Sequence, residues 1–262
     1  MNLDLSLAAM PLWLSFLLVV VLPTGLTTLG LVLIRRRFPT ERLKVNNEVA
    51  SFTFATVSVI YAVLLGFAVI VVWEKFRDAE NAVSQEAASV VALYRLSDGM
   101  GGDAAVELRS RLTAYVRSVL DDDWPAMVHG HTSHNTTRAL NDVYGAALKS
   151  DPAGARDSAV LAEIFHQLDQ ITQARRERIV VGAGVVPGMI WAVLVMGGAM
   201  TTASAFFFGS ENLRAQLLMT GMLSTIVFTA LLVIVSINYP FTGPVSVSPE
   251  PFNLALQDFA KG

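Results

Sequence analysis

Four stretches of the 262-residue chain contain no Asp, Glu, Lys, Arg or His: Leu12 to Ile34, Phe52 to Trp73, Ile179 to Phe208 and Leu217 to Asn238. They run to 23, 22, 30 and 22 residues. A helix rising about 1.5 Å per residue needs roughly 20 residues to cross a hydrocarbon core about 30 Å thick, so each stretch is long enough to span. With 53% hydrophobic residues, 16% charged residues and a mean hydropathy of +0.51, the composition belongs to an integral membrane protein. The expected fold is all-α: a four-span transmembrane helical protein. The eleven residues before the first stretch carry no Lys or Arg, and that stretch is too long for a signal peptide and lacks a small-x-small cleavage site. It is expected to stay as an anchor.

Between the second and third stretches lie 105 residues, Glu74 to Arg178, with 12 basic and 16 acidic residues and helix formers throughout. This predicts a helical soluble domain inserted between spans 2 and 3. Phe76, Ala79, Val83, Ala87, Val90 and Tyr94 recur at spacings of three and four, one apolar helical face. No Gly or Pro interrupts Phe67 to Asp98, so the second span is expected to continue as one helix of more than 40 residues, a stiff link able to carry a mechanical signal. A further helix is marked by Val106, Leu108, Leu112, Tyr115, Val116 and Val119, and another by Leu140, Tyr144, Ala147 and Leu148. DDDWPAMVHGHTSHN between them reads as a loop. A last one carries Leu161, Ile164, Leu168 and Ile171 after an Asp157 or Ser158 cap, and leads through Arg175, Arg176 and Arg178 into the third span. The expected divisions are 1–51 (first span and basic loop), 52–73 (second span), 74–178 (soluble domain), 179–238 (spans 3 and 4) and 239–262 (irregular tail rich in Pro and Gly).

Charge excludes some functions. With 19 Lys+Arg against 22 Asp+Glu the net charge is −3, and no basic field exists for a phosphate backbone, so nucleic acid is not an expected partner. The chain has no cysteine, hence no disulfide, thiolate metal site or cysteine nucleophile. No nucleophile elbow, P-loop, dinucleotide fingerprint or H-E-x-x-H is present, so neither an enzyme nor a cofactor is expected. The uncharged spans argue against a proton-coupled pump, leaving a channel, a scaffold or a sensor. Basic residues near the membrane number six on each side, Arg35, Arg36, Arg37, Arg42, Lys44 and Arg214 against Lys75, Arg77, Arg175, Arg176, Arg178 and Lys261, so the orientation is open.

Three features carry candidate chemistry. In the second span Ser51, Ala55, Ser58, Ala62 and Gly66 fall three or four apart, a strip of small side chains that serves either close helix packing or, repeated around a symmetry axis, the wall of a narrow pore. Gly184 and Gly188 form a GxxxG pair around Pro187, read as a helix-packing site in the third span. His129, His131 and His134 have imidazole spacings that suit zinc, copper or nickel, the alternative being a solvated loop. Arg35, Arg36 and Arg37, which also read as a boundary stop or a headgroup site, would favour anions at a pore mouth, whereas Glu48 or Glu74 would favour cations.

The segment NNEVASFTFATVSVIYAVLLGFAVIVVWEKFRDAENAVSQEAASVVALYRL, residues Asn46 to Leu96, resembles the core of a bacterial family of bestrophin-like membrane proteins of unknown function. DDWPAM, RRERI, PGMIW, ENLRAQ and YPFTGPVSVSPEPF resemble the same family in the same order, with Ser51 standing where the family pattern has glycine. The resemblance implies kinship with bestrophins, pentameric anion channels whose second helix lines one axial pore. It therefore implies a homo-oligomer in the bacterial plasma membrane, with membrane lipids and small ions as partners. Against the channel stands a non-conducting scaffold or sensor that captures a partner on its soluble bundle, near Trp124.

Overall fold

The computed structural model describes residues 3–150, 154–184 and 186–261, and every regular element among them is helical. In chain order these are α1 (Leu3–Ala9), α2 (Leu12–Phe16), α3 (Leu22–Arg37), α4 (Thr40–Lys44), α5 (Asn47–Leu96), α6 (Gly102–Ser118), α7 (Trp124–Val128), α8 (His134–Leu148), α9 (Ala155–Gly182), α10 (Gly188–Ser204), α11 (Leu213–Ile237) and α12 (Glu250–Phe259). Four helical stretches are long and apolar enough to cross a membrane: Leu12–Arg37, Asn47–Gly99, Gly188–Phe207 and Leu213–Ile237. The chain divides into two compact units, residues 3–74 with 186–238 and residues 75–184 with 239–261. Helix α5, 50 residues without a break, contributes to both.

In the first unit α11 packs on α3 and α10, around Leu31, Leu194, Val227, Leu231 and Ile234. A wide π-helical turn, Leu17–Val21, precedes Pro23 in the first apolar stretch. Such a turn moves aside the carbonyl that a proline ring would strike in a regular helix. The hydroxyls of Thr27 and Thr28 donate back to the carbonyls of Pro23 (2.8 Å) and Thr24 (3.0 Å), so these polar side chains meet their needs inside their own helix. Tyr61 of α5 lies against α10, where Gly197 leaves the space for its ring: a Cβ there would stand 2.5 Å from Tyr61 Cδ2. Its hydroxyl donates to the Leu194 carbonyl at 3.1 Å.

The second unit is a helical bundle with α6 paired to α8 and a core that includes Leu93, Leu108, Leu112, Val116, Val143, Ile164, Leu168 and Ile171. Ser133 caps α8, accepting from the Asn135 N–H at 3.1 Å.

The structure corrects the sequence reading in four places. The third apolar stretch is not one helix: α9 ends at Gly182, and α10 begins only at Gly188, behind Pro187. Gly184 sits between them at φ +91°, a backbone state that side chains resist, and Gly188 is the first residue of α10. Gly184 and Gly188 therefore do not share a helix face, and the expected GxxxG packing pair does not form. The DDDWPAM segment is helical rather than a loop, because a π-helical turn, Val119–Asp123, again absorbs the proline that follows, Pro125 near the start of α7. Helix α9 starts at Ala155, before both expected caps. The C-terminal segment is not irregular throughout, since Pro251 at the start of α12 suits a first turn and Phe252, Ala255 and Phe259 then bury one face.

Candidate functional site

On α5 the residues that turn toward the first unit follow a three–four rhythm through Phe54, Val57, Tyr61, Leu65, Ala68 and Val72, with Tyr61 and Val72 buried. At about 100° per residue, the strip Ser51, Ala55, Ala62 and Gly66 is turned by roughly 100° from that seam. All four are exposed, and a Cβ added at Gly66 would meet nothing within 4 Å. The strip is thus not spent on packing within its own chain. Ser58 lies at its inner edge, half-buried, with an enclosed Oγ that has no hydrogen-bond partner among the described residues. Beyond the strip α5 leaves Phe52, Val59, Ile60 and Phe67 bare, each more than 60% exposed.

The charges expected at a pore mouth separate into held and exposed. Arg35 donates from Nη2 to the Ser210 carbonyl at 2.6 Å, whereas Arg36, Arg37, Glu48 and Glu74 are exposed. Asn47, the first residue of α5, fastens the same loop: its Nδ2 donates to the Gly209 carbonyl (3.1 Å), and its Oδ1 accepts from the Gly209 N–H (2.8 Å). Lys44 pairs with Glu211 and holds its carboxyl below the usual carboxylate range through a hydrogen bond and the attraction of opposite charge.

The histidines do not assemble a metal site. His129 follows the end of α7, Gly130 turns the chain at φ +74°, His131 lies in the extended link and His134 opens α8, all three exposed. Among the described residues no group of three or more His, Asp or Glu is placed to hold a metal ion.

Sequence reasoning missed the most polar interior feature, in the second unit. Arg178 of α9 is fully buried; its Nε donates to Glu86 Oε2 at 2.7 Å, and its Nη2 donates to Glu86 Oε1 and to Asp123 Oδ2, both at 3.1 Å. Arg175 donates to Asp123 Oδ2 at 3.2 Å, Ser133 N–H to Asp123 Oδ1 at 2.8 Å, and the Tyr115 hydroxyl to Glu86 Oε1 at 2.6 Å. The Arg178 guanidinium lies 5.8 Å from the ring centre of Trp124 and 5.9 Å from that of Phe252. Two carboxylates thus meet two guanidiniums in an enclosed, charge-balanced network. Burial, then the negative charge of Glu86, raises the Tyr115 phenol well above its ordinary value, so it stays a donor. The C-terminal segment closes over this network: Phe241 packs edge-on to Trp124 at 5.5 Å, Phe252 at 6.1 Å, and Thr242 donates to the Val128 carbonyl at 3.0 Å. Trp124 is therefore partly covered by its own chain and keeps an intermediate exposure.

The network left a trace in the sequence. Glu86 stands three residues after Val83 and four before Val90, on the apolar face, while Arg175 and Arg178 continue the rhythm of Ile164, Leu168 and Ile171. Charged residues in core register are paired or not buried at all. Arg175 and Arg178 are hence interior residues, not free basic charges flanking a membrane span.

Comparison with known proteins places this geometry. No curated protein sequence matches the chain. Among solved structures, one variant of a bacterial Bestrophin homolog from Klebsiella pneumoniae superposes with a TM-score of 0.72 at 14% identity, covering 92% of this chain and 98% of that one. A second variant gives 0.74 at 15% identity over 92% and 98% of the two chains. A third structure, described only as a membrane protein, gives 0.72 at 14% identity over 94% and 97%. The likeness is one of fold. The model of the Bestrophin-like domain matches residues 21–252, most of the chain, and this membrane protein belongs to the Bestrophin-like family.

Proposed function

We propose that the protein is a homo-oligomeric channel for small ions, a pentamer by analogy with bestrophins, in the bacterial plasma membrane, which it crosses several times. In this reading α5 of each copy turns Ser51, Ala55, Ala62 and Gly66 toward a shared axis, with Ser58 at the edge of the wall. The observation that carries it is the bare strip on the longest helix of a Bestrophin-like chain. Large apolar side chains such as Phe52 and Ile60 are well served by lipid, but Ala, Ser and Gly leave backbone carbonyls near the surface and gain little from acyl chains. Repeated around an axis, such a face admits a partly hydrated ion. An uncharged wall does not choose the ion's sign, so the choice falls to the mouths. There Arg36 and Arg37 stand free and Arg35 is held close by, against Glu48 and Glu74, and anions are the proposed cargo. No enzymatic activity is part of this reading.

The test is current through the purified oligomer in a planar bilayer under a chloride gradient. Unitary currents reversing near the chloride equilibrium potential support the proposal, and Gly66→Leu should abolish them while the oligomer keeps its size. If Gly66→Leu instead dissociates the oligomer, the strip is a packing face. A second reading, a non-conducting sensor, draws on the unbroken α5, which carries the strip at one end and Glu86 in the buried network at the other. A silent bilayer in both insertion orientations would favour it.

A further inference from the structure

The loop between α10 and α11 draws three elements together, two of them through basic residues. Ser210 accepts from Arg35 at the end of α3, Gly209 is fastened to Asn47, and Glu211 pairs with Lys44. Gly209 lies so close to the backbone of Leu43 and Lys44 in α4 that any side chain there would collide with it. Arg35, Arg36, Arg37, Arg42, Lys44 and Arg214 are thus gathered about one loop, with Glu41, Glu48 and Glu211 as the acidic groups on the same elements. Lys44 and Glu211 neutralise each other. None of Arg36, Arg37 and Arg42 forms an ion pair among the described residues. Arg35 itself is held in place: its Nη2 donates to the Ser210 carbonyl, and its Nη1 is enclosed with no acceptor among the described residues.

Beside this cluster, within the same unit, runs an open, largely apolar groove of about 430 Å³. Val49, Thr53 and Val57 of α5 form one wall and Met200, Ala203 and Phe207 the other, and Asn46 and Ser204 also border it. Asn46 lies two residues from Lys44, and Phe207 two residues from Gly209, so the groove opens where the basic loop stands. An apolar groove beside a loop with unpaired guanidiniums gathered about it matches one ligand chemistry, a hydrocarbon chain joined to a phosphate. We propose that the groove holds an acyl chain of an anionic phospholipid and that the exposed Arg36, Arg37 and Arg42 hold its phosphate. This site is separate from the α5 strip and does not depend on conduction.

Native mass spectrometry of the delipidated full-length oligomer, titrated with phosphatidylglycerol or phosphatidylcholine of identical acyl chains, tests it. Phosphatidylglycerol adducts should form with a preference of at least about tenfold. The triple variant Arg36→Gln, Arg37→Gln, Arg42→Gln should erase the preference while leaving weak binding of both lipids. Ala203→Trp, or Thr53→Trp from the facing wall, should remove both adducts without changing the subunit count. Glycerol phosphate without acyl chains should not compete. Equal binding of the two lipids to the unaltered protein overturns the proposal, as does competition by glycerol phosphate equal to that of the lipid, or adducts that survive both tryptophan variants. Dissociation of the oligomer by both tryptophan variants, with no lipid retained by the unaltered protein, also overturns it and identifies the groove as a contact between copies.

Discussion

Replacing Glu86 by Gln tests whether the buried network holds the second unit together. Glu86 accepts three hydrogen bonds, two from Arg178 and one from Tyr115, at 2.6 to 3.1 Å, and both Glu86 and Arg178 are 0% exposed. The amide keeps the shape but removes the charge, leaving Arg178 with Asp123, which it already shares with Arg175. Breaking a buried pair from one side costs about 3–5 kcal/mol, because the remaining charge stays desolvated. Against a domain stability of about 5–15 kcal/mol that is a large fraction. Hydrogen exchange on the purified protein reads it directly: amides in 112–119 and 171–181 should lose protection by roughly a hundred- to several-thousand-fold, a decade for each 1.4 kcal/mol or so. The double variant Glu86→Leu, Arg178→Met removes both charges and should lose less than Glu86→Gln, since apolar pairs replace buried ion pairs at little cost. A Glu86→Gln protein within about 0.5 kcal/mol of the unaltered one, or a double variant worse than Glu86→Gln, would refute the reasoning.

Three further outcomes follow from local geometry. The raised Tyr115 phenol keeps its proton in the folded protein while the unfolded chain ionises near pH 10, so this contribution is whole below about pH 10 and is lost as pH rises through the folded value; a Tyr115→Phe protein, measured by unfolding against pH, should lack that alkaline loss. Gly184→Ala meets a positive φ of 91° and would put its Cβ 2.5 Å from Tyr239 Cε1, so the thermal midpoint should fall by the equivalent of about 1–3 kcal/mol or more. In the first unit Tyr61→Phe should cost about 0.6 kcal/mol, the usual worth of one hydrogen bond between membrane helices, while Gly197→Ala, which drives a methyl into the Tyr61 ring, should cost clearly more in the same denaturation assay.

Span number and the all-α class were legible because charge-free runs of 20 or more residues have few other fates. The limits of the third span were not: hydropathy counts Gly184 and Pro187 as permissible membrane residues, whereas φ +91° and a missing N–H end one helix and begin another. In the sequence DDDWPAM reads as part of a loop between two helices. Asp123 is instead inside, because Arg175 and Arg178, more than fifty residues away, arrive to neutralise it. No local rule shows a pairing at that distance, although charged residues on an apolar helix face were a signal open to reading. The histidine loop shows the converse, since spacing that suits a metal on paper is undone by the turn at Gly130 and the start of α8.

The segments by which the chain resembles its family coincide with these internal ties. NNEVA contains Asn47, which fastens Gly209; DDWPAM supplies Asp123, Trp124 and Met127; RRERI supplies Arg175 and Arg178. ENLRAQ brings Asn212, the cap of α11, and Gln216, whose amide donates to the Phe208 carbonyl at 2.8 Å; YPFTGPVSVSPEPF brings Phe241, Thr242 and Phe252 over the buried arginine. Each of these ties specifies how a loop or a helix is fastened, whereas the bare strip of α5 lies in the long matching segment Asn46 to Leu96 and carries no charge. If the proposed channel reading holds, substitutions at these tying residues should first change protection, whereas substitutions at Ala55, Ala62 or Gly66 should change conductance in a protein that still folds. A conductance change caused by Asp123→Asn with its exchange protection intact would break that division.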